Sequence, residues 1–292
     1  VSLIAGLEHI VRENEPLAPF TRLKIGGVAE YYAEPTTVDE LVLLVKRFSE
    51  QNFPIRLIGS GSNILIRSTG VPGLVIQLSA PAFCTIQVDR PYMTVGGGTQ
   101  ISHFVASAVR EGFAGPEQLV GIPGTIGGAL YNNTGALGVD IGSWVDSVEL
   151  LTRAGERIQR GNESLSFSYR QSSITELVIL SARFRFESDD PGMLTKQMQK
   201  RWIVRRASQP SWSENSTFVF KDQGGESASV LIDQAGLRGT RVGKVAISER
   251  NSNYFVAEPD ATSDEVLRLM ELVRTQVHER LGIQLEDAIC VW

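Results

Sequence analysis

Cysteine and histidine are scarce in this chain: its 292 residues include two cysteines and three histidines. Cys84 and Cys290 lie far apart without the spacing of a metal knuckle. Reduced, buried and inert thiols are expected, the pattern of a cytoplasmic protein. His9, His103 and His278 offer no pair at ligand spacing, which argues against a metal site. There is no stretch of eighteen apolar residues, so no membrane-spanning helix and no membrane insertion are expected. Basic runs are also missing, and the net charge is −5, which argues against a nucleic-acid partner. The opening segment VSLIAGLEHIV is interrupted by Glu8 and His9 and carries no basic leader. It reads as a first helix rather than a signal peptide. With 42% hydrophobic residues the chain suits a globular protein of two or three domains.

Glycine, in contrast, is concentrated at informative places. Gly59, Ser60, Gly61, Ser62 and Asn63 follow the apolar run 55–58 and precede another at 64–66. A strand, a small-residue turn and a second strand are expected there. Residues 121–135 read GIPGTIGGALYNNTG, with Gly96, Gly97 and Gly98 lying between the two clusters. Glycine removes the Cβ that blocks approach to backbone N–H groups, and a following helix start adds oriented amides. Together these suit a pyrophosphate. The candidate cofactor-binding set is therefore Gly59, Ser60, Gly61, Ser62, Asn63, Gly98, Gly121, Ile122, Pro123, Gly124, Thr125, Gly127 and Gly128. Neither cluster is a GxGxxG placed after a strand, so the nicotinamide-binding Rossmann fingerprint is not present.

Regular structure can be placed around these clusters. Thr37 and Glu40 form a capping box ahead of a helix whose apolar face is Leu41, Leu44, Val45 and Phe48. Strands are expected at 55–58, 74–78, 86–88, 93–95, 145–151, 157–159 and 177–186, and a helix at 101–110. Val178, Leu180, Ala182, Phe184 and Phe186 alternate with period two. The turn cluster 188–192 marks a domain boundary, followed by a basic helix at 194–206. A helix over 264–281, capped by Thr262 with Glu265 and stopped at Gly282, has the core stripe Val266, Leu269, Val273, Val277 and Leu281.

The motifs TRLKIGG (21–27), GSGSN (59–63), VGGGT (95–99) and GIPGTIGGA (121–129) occur in that order. Tyr169-Arg170-Gln171-Ser172 and GIQLE (282–286) follow. In this arrangement the chain resembles the UDP-N-acetylenolpyruvoylglucosamine reductase family over nearly its whole length. The resemblance implies an α+β protein. A two-lobed FAD-binding domain of the vanillyl-alcohol-oxidase type would cover 1–189, with lobes 1–78 and 79–189, and a smaller α+β substrate domain would cover 190–292. It implies non-covalent FAD, NADPH as reductant, a nucleotide-sugar substrate, a monomer and a place in peptidoglycan precursor synthesis. In the family a hydride reaches the terminal carbon of an enolpyruvyl ether while charge develops on its carboxylate. An arginine and a glutamate lie near that group, and a serine or cysteine protonates the adjacent carbon.

Arg170 matches the arginine, and Tyr169, Lys221 and Asp222 fall at substrate-binding positions. The proton donor of the Gly-Ser-x-Phe-Lys-Asn-Pro motif aligns with Phe218, because the chain reads Thr217-Phe218-Val219-Phe220-Lys221-Asp222-Gln223. The second acid of Leu-Glu-x-Glu aligns with Ala288. Phenylalanine has no exchangeable proton and alanine no charge. Thr217 and Asp287 are the neighbours able to substitute. Three readings follow: the family's reductase with altered acid groups, a flavin-binding homologue with a binding or regulatory role, and an FAD oxidoreductase acting on another substrate.

Overall fold

The computed structural model describes residues 3–136, 138–211, 215–223 and 225–292. In chain order the elements begin β1 (Val11–Pro16), β2 (Val28–Ala33), α1 (Val38–Glu50), β3 (Ile55–Ile58), β4 (Ile64–Leu65) and β5 (Val71–Gln77). Then come β6 (Ile86–Asp89), β7 (Tyr92–Gly96), α2 (Ile101–Arg110), α3 (Ile126–Tyr131), β8 (Gly135–Ala136), β9 (Val139–Asp140), β10 (Val145–Leu151) and β11 (Arg157–Gly161). The hairpin β12 (Phe167–Ser168) and β13 (Gln171–Ser172) precedes β14 (Val178–Arg185) and α4 (Pro191–Ser208). The remainder is β15 (Asn215–Phe218), α5 (Ala228–Gln234), β16 (Arg241–Val242), β17 (Val245–Ile247), β18 (Tyr254–Ala257), α6 (Ser263–Leu281) and β19 (Cys290–Val291).

This α+β chain forms two compact units. The first contains the residues up to Glu15 with Glu30–Ser60 and Pro72–Val204; the second contains Pro16–Ala29, Gly61–Val71 and Arg205–Trp292. The division thus falls at Val204 and Arg205 rather than in the 188–192 turn, and it assigns two early segments to the C-terminal unit. In that unit β4 pairs in parallel with β19, Ile64 opposite Cys290, which explains why 61–71 belongs there.

The first unit holds a sheet in the order β1-β2-β5-β3 and an antiparallel one in the order β11-β10-β14-β7-β6. Leu41, Leu44, Val45 and Phe48 of α1 are buried with Ile55, Leu74 and Ile76, as their helical spacing requires. On the antiparallel sheet, Ile101, Phe104, Val105 and Ala108 of α2 pack with Met93, Val95, Val148 and Phe184. The second unit has the sheet β15-β18-β17-β16. It shares one core with Val266, Leu269, Val273 and Val277 of α6.

Three local expectations are corrected. Cys84 is half-buried and Cys290 exposed, so the thiols are not both buried in the core. Residues 3–10 form turns, with β1 starting at Val11, so no helix opens the described chain. Gly6 at φ +75° takes a left-handed conformation that breaks a helix there; residues 1 and 2 lie outside the described residues. The period-two pattern of β14 is also interrupted. Ser181 pairs with Glu149 and Ile179 with Leu150, leaving Leu180 bulged. Val178 and Leu180 therefore join the α1 core, while Ile179, Ala182, Phe184 and Phe186 join the α2 core.

Both expected capping boxes form, at Thr37 with Glu40 and at Thr262 with Glu265, and Gly282 ends α6 in the left-handed conformation. The Glu40 carboxylate accepts from Thr36 Oγ1 and N, both at 2.7 Å, and from His9 Nε2 at 2.9 Å. Hydrogen bonding from Thr36 foremost lowers its pKa from 4.5 to about 2. A depressed folded-state pKa stabilises above the unfolded value and loses that stability as pH falls through the folded one. Glu40→Gln is therefore expected to flatten the decline of the thermal midpoint between pH 4.5 and about 2. An unchanged slope across that window would contradict the assignment.

Candidate functional site

Within the first unit, Gly59 of the earlier glycine cluster meets the 121–128 loop. A Cβ on Gly59 would lie 2.7 Å from Thr125 Oγ1, so the close approach of β3's end to the 121–128 loop depends on glycine. The Gly59 carbonyl accepts from Gln77 Nε2 at 2.8 Å, and Gln77 Oε1 accepts from the buried Tyr32 hydroxyl at 2.5 Å. Burial pushes that phenol above its ordinary pKa, keeping it a donor. Thr125 caps α3 by accepting from Gly128 N at 3.4 Å.

The loop amides divide into two sets. Ile126 N and Gly127 N donate to Thr99 O and Gly97 O, and Ile122 N and Gly98 N donate to Leu119 O and Phe83 O. Pro123 has no N–H. Gly96–Gly98 are packing positions: a Cβ on Gly97 would fall 1.9 Å from Ile179 O, and one on Gly98 2.1 Å from Leu78 O. The amides of Gly59, Gly121, Gly124 and Thr125 donate to no acceptor among the described residues. Gly121 and Gly124 hold φ of +76° and +135°, which aim peptide groups as a side-chain-bearing residue rarely can. These unengaged donors lie on glycine-rich backbone, with no Cβ on the Gly59 side of its close approach to Thr125, and such a set fits the pyrophosphate of a dinucleotide.

Ser60 ends its segment of the first unit, while Gly61, Ser62 and Asn63 serve the second unit. A Cβ on Gly61, at φ +61°, would meet Phe20 O at 2.0 Å. The Ser62 carbonyl accepts from Thr217 Oγ1 at 2.9 Å, and Asn63 Nδ2 donates to Ala288 O at 2.9 Å.

Arg170 sits at the corner of the β12–β13 hairpin, its guanidinium 5.7 Å from the exposed Tyr169 ring. Its φ is +56°, a conformation costing a non-glycine residue roughly 1–2 kcal/mol. Arg170 itself is half-buried, and backbone strain of this kind clusters at functional sites.

In the second unit Phe218 and Ala288 are brought together. Ala288 N donates to Val219 O at 2.8 Å, which sets Ala288 beside the end of β15 where Phe218 lies. The Phe218 ring packs edge-on against Tyr254, with centroids 5.8 Å apart. Thr217, on the opposite face of the strand, is buried and spends its hydroxyl on Ser62. Asp287 Oδ1 accepts from Arg274 Nη2 at 2.9 Å, and Lys221 Nζ donates to Glu286 Oε2 at 3.2 Å. Asp222 Oδ1 accepts from Ala228 N at 2.9 Å, ahead of α5.

Asn253 and Asn133 were missed in the sequence. Asn253 brackets Phe220, accepting from its N–H at 2.9 Å and donating to its carbonyl at 2.8 Å, which fixes the segment after Phe218. Asn133 lies just past α3 with φ +42°; an asparagine after an apolar helical run is the available signal for such a cap. Among the described residues there is no group of His, Cys, Asp and Glu able to hold a metal, and no helix long and apolar enough to cross a membrane.

The fold and this set of donors define a flavin-type dinucleotide-binding protein. Residues 29–161 match the FAD binding domain family, and residues 209–292 match the C-terminal domain of UDP-N-acetylenolpyruvoylglucosamine reductase. The reductase of Rhodopirellula baltica is 40% identical, over 98% of this chain and 94% of its own length. That of Paramagnetospirillum magneticum is 39% identical over 93% of this chain and 88% of its length. The crystal structure of the Thermus caldophilus reductase superposes with a TM-score of 0.79 at 31% identity, covering 97% of this chain and 98% of that one. The chain belongs to the UDP-N-acetylenolpyruvoylglucosamine reductase family.

Proposed function

We propose that this chain is an FAD-dependent reductase. It takes electrons from NADPH and acts on UDP-N-acetylglucosamine enolpyruvate in peptidoglycan precursor synthesis, with its protonation step left to water. It is read as a cytoplasmic monomer. When bound, FAD supplies the hydride chemistry between NADPH and the enolpyruvyl ether. The amides of Gly59, Gly121, Gly124 and Thr125 would hold the pyrophosphate. Arg170 would bind the substrate carboxylate through its two-pronged guanidinium, which stays charged throughout. Tyr169, Lys221 and Asp222 would contribute to substrate binding.

The observation that carries the reading is the set of four amides, at Gly59, Gly121, Gly124 and Thr125, unengaged among the described residues in a chain of this reductase family, and the arrangement around β15 is what assigns protonation to water. A ring fills the donor position, packed on Tyr254, while the Thr217 hydroxyl faces the Ser62 carbonyl. Asp287 is engaged by Arg274, which supports assigning the protonation to water rather than to Thr217 or Asp287. The same arrangement favours the second reading, a flavin-binding homologue with a binding or regulatory role and no turnover of this substrate.

Flavin binding is tested first. The segments 58–63, 96–100 and 121–135 contain no His or Cys for a covalent tether. The Cys84 thiol beside Gly98 is pushed up by burial and therefore protonated, a poor nucleophile. Purified protein is expected to be yellow and to release all its flavin on acid precipitation. A colourless protein that cannot be reconstituted with FAD would overturn both readings, and flavin retained in the precipitate would overturn non-covalent binding.

A further inference from the structure

Helix α3 starts at the glycine loop and ends against the hairpin that carries Arg170. Two hydrogen bonds fasten that end. Ser172 Oγ donates to Tyr131 O at 2.9 Å, and Asn133 Nδ2 donates to Ser168 O at 2.7 Å. Asn133 is 1% exposed, so its carboxamide has little solvent to fall back on. Its Nδ2 also reaches Asp140 Oδ2 at 3.3 Å, and its Oδ1 accepts from Gly142 N at 3.1 Å. Both amide protons and the oxygen are thus used.

The surroundings are built tightly around this group. A Cβ on Gly142 would fall 2.4 Å from the Phe167 ring and 2.7 Å from Asn133 Oδ1; one on Gly135 would fall 1.8 Å from Asp140 Oδ1. The backbone of Asn133 is left-handed at φ +42°, which asparagine tolerates better than most residues. Aspartate is its isostere, but would turn an acceptor toward the Ser168 carbonyl and a second carboxylate toward Asp140.

We propose that Asn133 is a positioning residue for Arg170. By holding Ser168, the residue opposite Gln171 in the hairpin, it fixes the corner at which Arg170 keeps its left-handed conformation. The inference rests on reading Arg170 as the carboxylate-binding residue, and it gives α3 a second task, joining the cofactor loop to the substrate-binding corner.

The test compares flavin-loaded wild type, Asn133→Asp, and Asn133→Asp with Asp140→Asn. The second substitution restores a donor toward position 133 and relieves the charge contact, but cannot restore the bond to Ser168. Hydrogen exchange at Ser173, whose N–H donates to Ser166 O at 2.9 Å, reports on the hairpin. It is expected to accelerate by ~10-fold in both variants, the scale of one lost hydrogen bond, with exchange in α2 and flavin content unchanged. Calorimetric affinity for UDP-N-acetylglucosamine enolpyruvate is expected to fall by ~10-fold in both, with no further loss when Asn133→Asp is added to Arg170→Ala. Unchanged exchange at Ser173, or affinity restored by Asp140→Asn, overturns the proposal. Absence of nucleotide binding by wild type defeats the reading of Arg170 and with it this role for Asn133, whereas binding with unaltered exchange defeats the positioning role alone.

Discussion

Phe218→Ser combined with Ala288→Glu is expected to raise single-turnover oxidation of the reduced holoprotein by UDP-N-acetylglucosamine enolpyruvate by at least ~10²-fold, the low end for a general acid. The geometry favours this repair. Ala288 is fixed by bonds from its N–H to Val219 O and from Asn63 Nδ2 to its carbonyl, so a carboxylate introduced there starts from a held backbone. Phe218 is half-buried at the end of β15, and removing its ring forfeits the contact with Tyr254, about 0.5–1.5 kcal/mol beyond simple burial. Each single substitution is expected to give much less than the pair, because the two groups act on one transition state. No gain in the double variant would favour the flavin-binding reading without reductase activity. A wild-type rate already matching an intact reductase would show that Thr217 or Asp287 has taken over.

Arg170→Ala is expected to weaken binding of the same substrate to the oxidised holoprotein by ~2–5 kcal/mol, as for truncation of one partner of a buried, hydrogen-bonded charge pair. Arg170→Lys should fall between the two, since it keeps the charge and loses the planar fork. The left-handed backbone at this corner is no easier for alanine than for arginine, so the loss reports on the guanidinium rather than on relieved strain. Equal affinity of wild type and Arg170→Ala in calorimetry would remove Arg170 from the site.

Local signals read well in the sequence. The boxes at Thr37 with Glu40 and Thr262 with Glu265, the left-handed stop at Gly282 and the buried faces of α1 and α6 depend on residues within a few positions of one another. The opening segment misled because its apolar residues suggested a helix that Gly6 interrupts. The bulge at Leu180 could not be read, since it exists only in the pairing of β14 with β10. Nor could the β4–β19 pairing, which carries 61–71 into the C-terminal unit and has no local signature.

The glycine clusters were legible as a group but not one by one. Their spacing identified glycine-rich loops, yet which amides remain available depends on the carbonyls of Gly97, Thr99, Leu119 and Phe83. The family resemblance pointed to Phe218 and Ala288, while their adjacency and the engagement of Thr217 with Ser62 emerged only from the folded strands. Asn133 lay beside the glycine motif and was passed over because its bonds go to Ser168, Asp140 and Gly142, beyond any helical spacing.

The most direct test of a flavin reductase lacking a side-chain proton donor is anaerobic stopped-flow of the wild-type holoprotein. NADPH is mixed first and UDP-N-acetylglucosamine enolpyruvate second, following the flavin absorbance. Complete, rapid bleaching and then recovery at least ~10²-fold slower than in Phe218→Ser/Ala288→Glu is the expected result. Recovery as fast in wild type as in that double variant would contradict it.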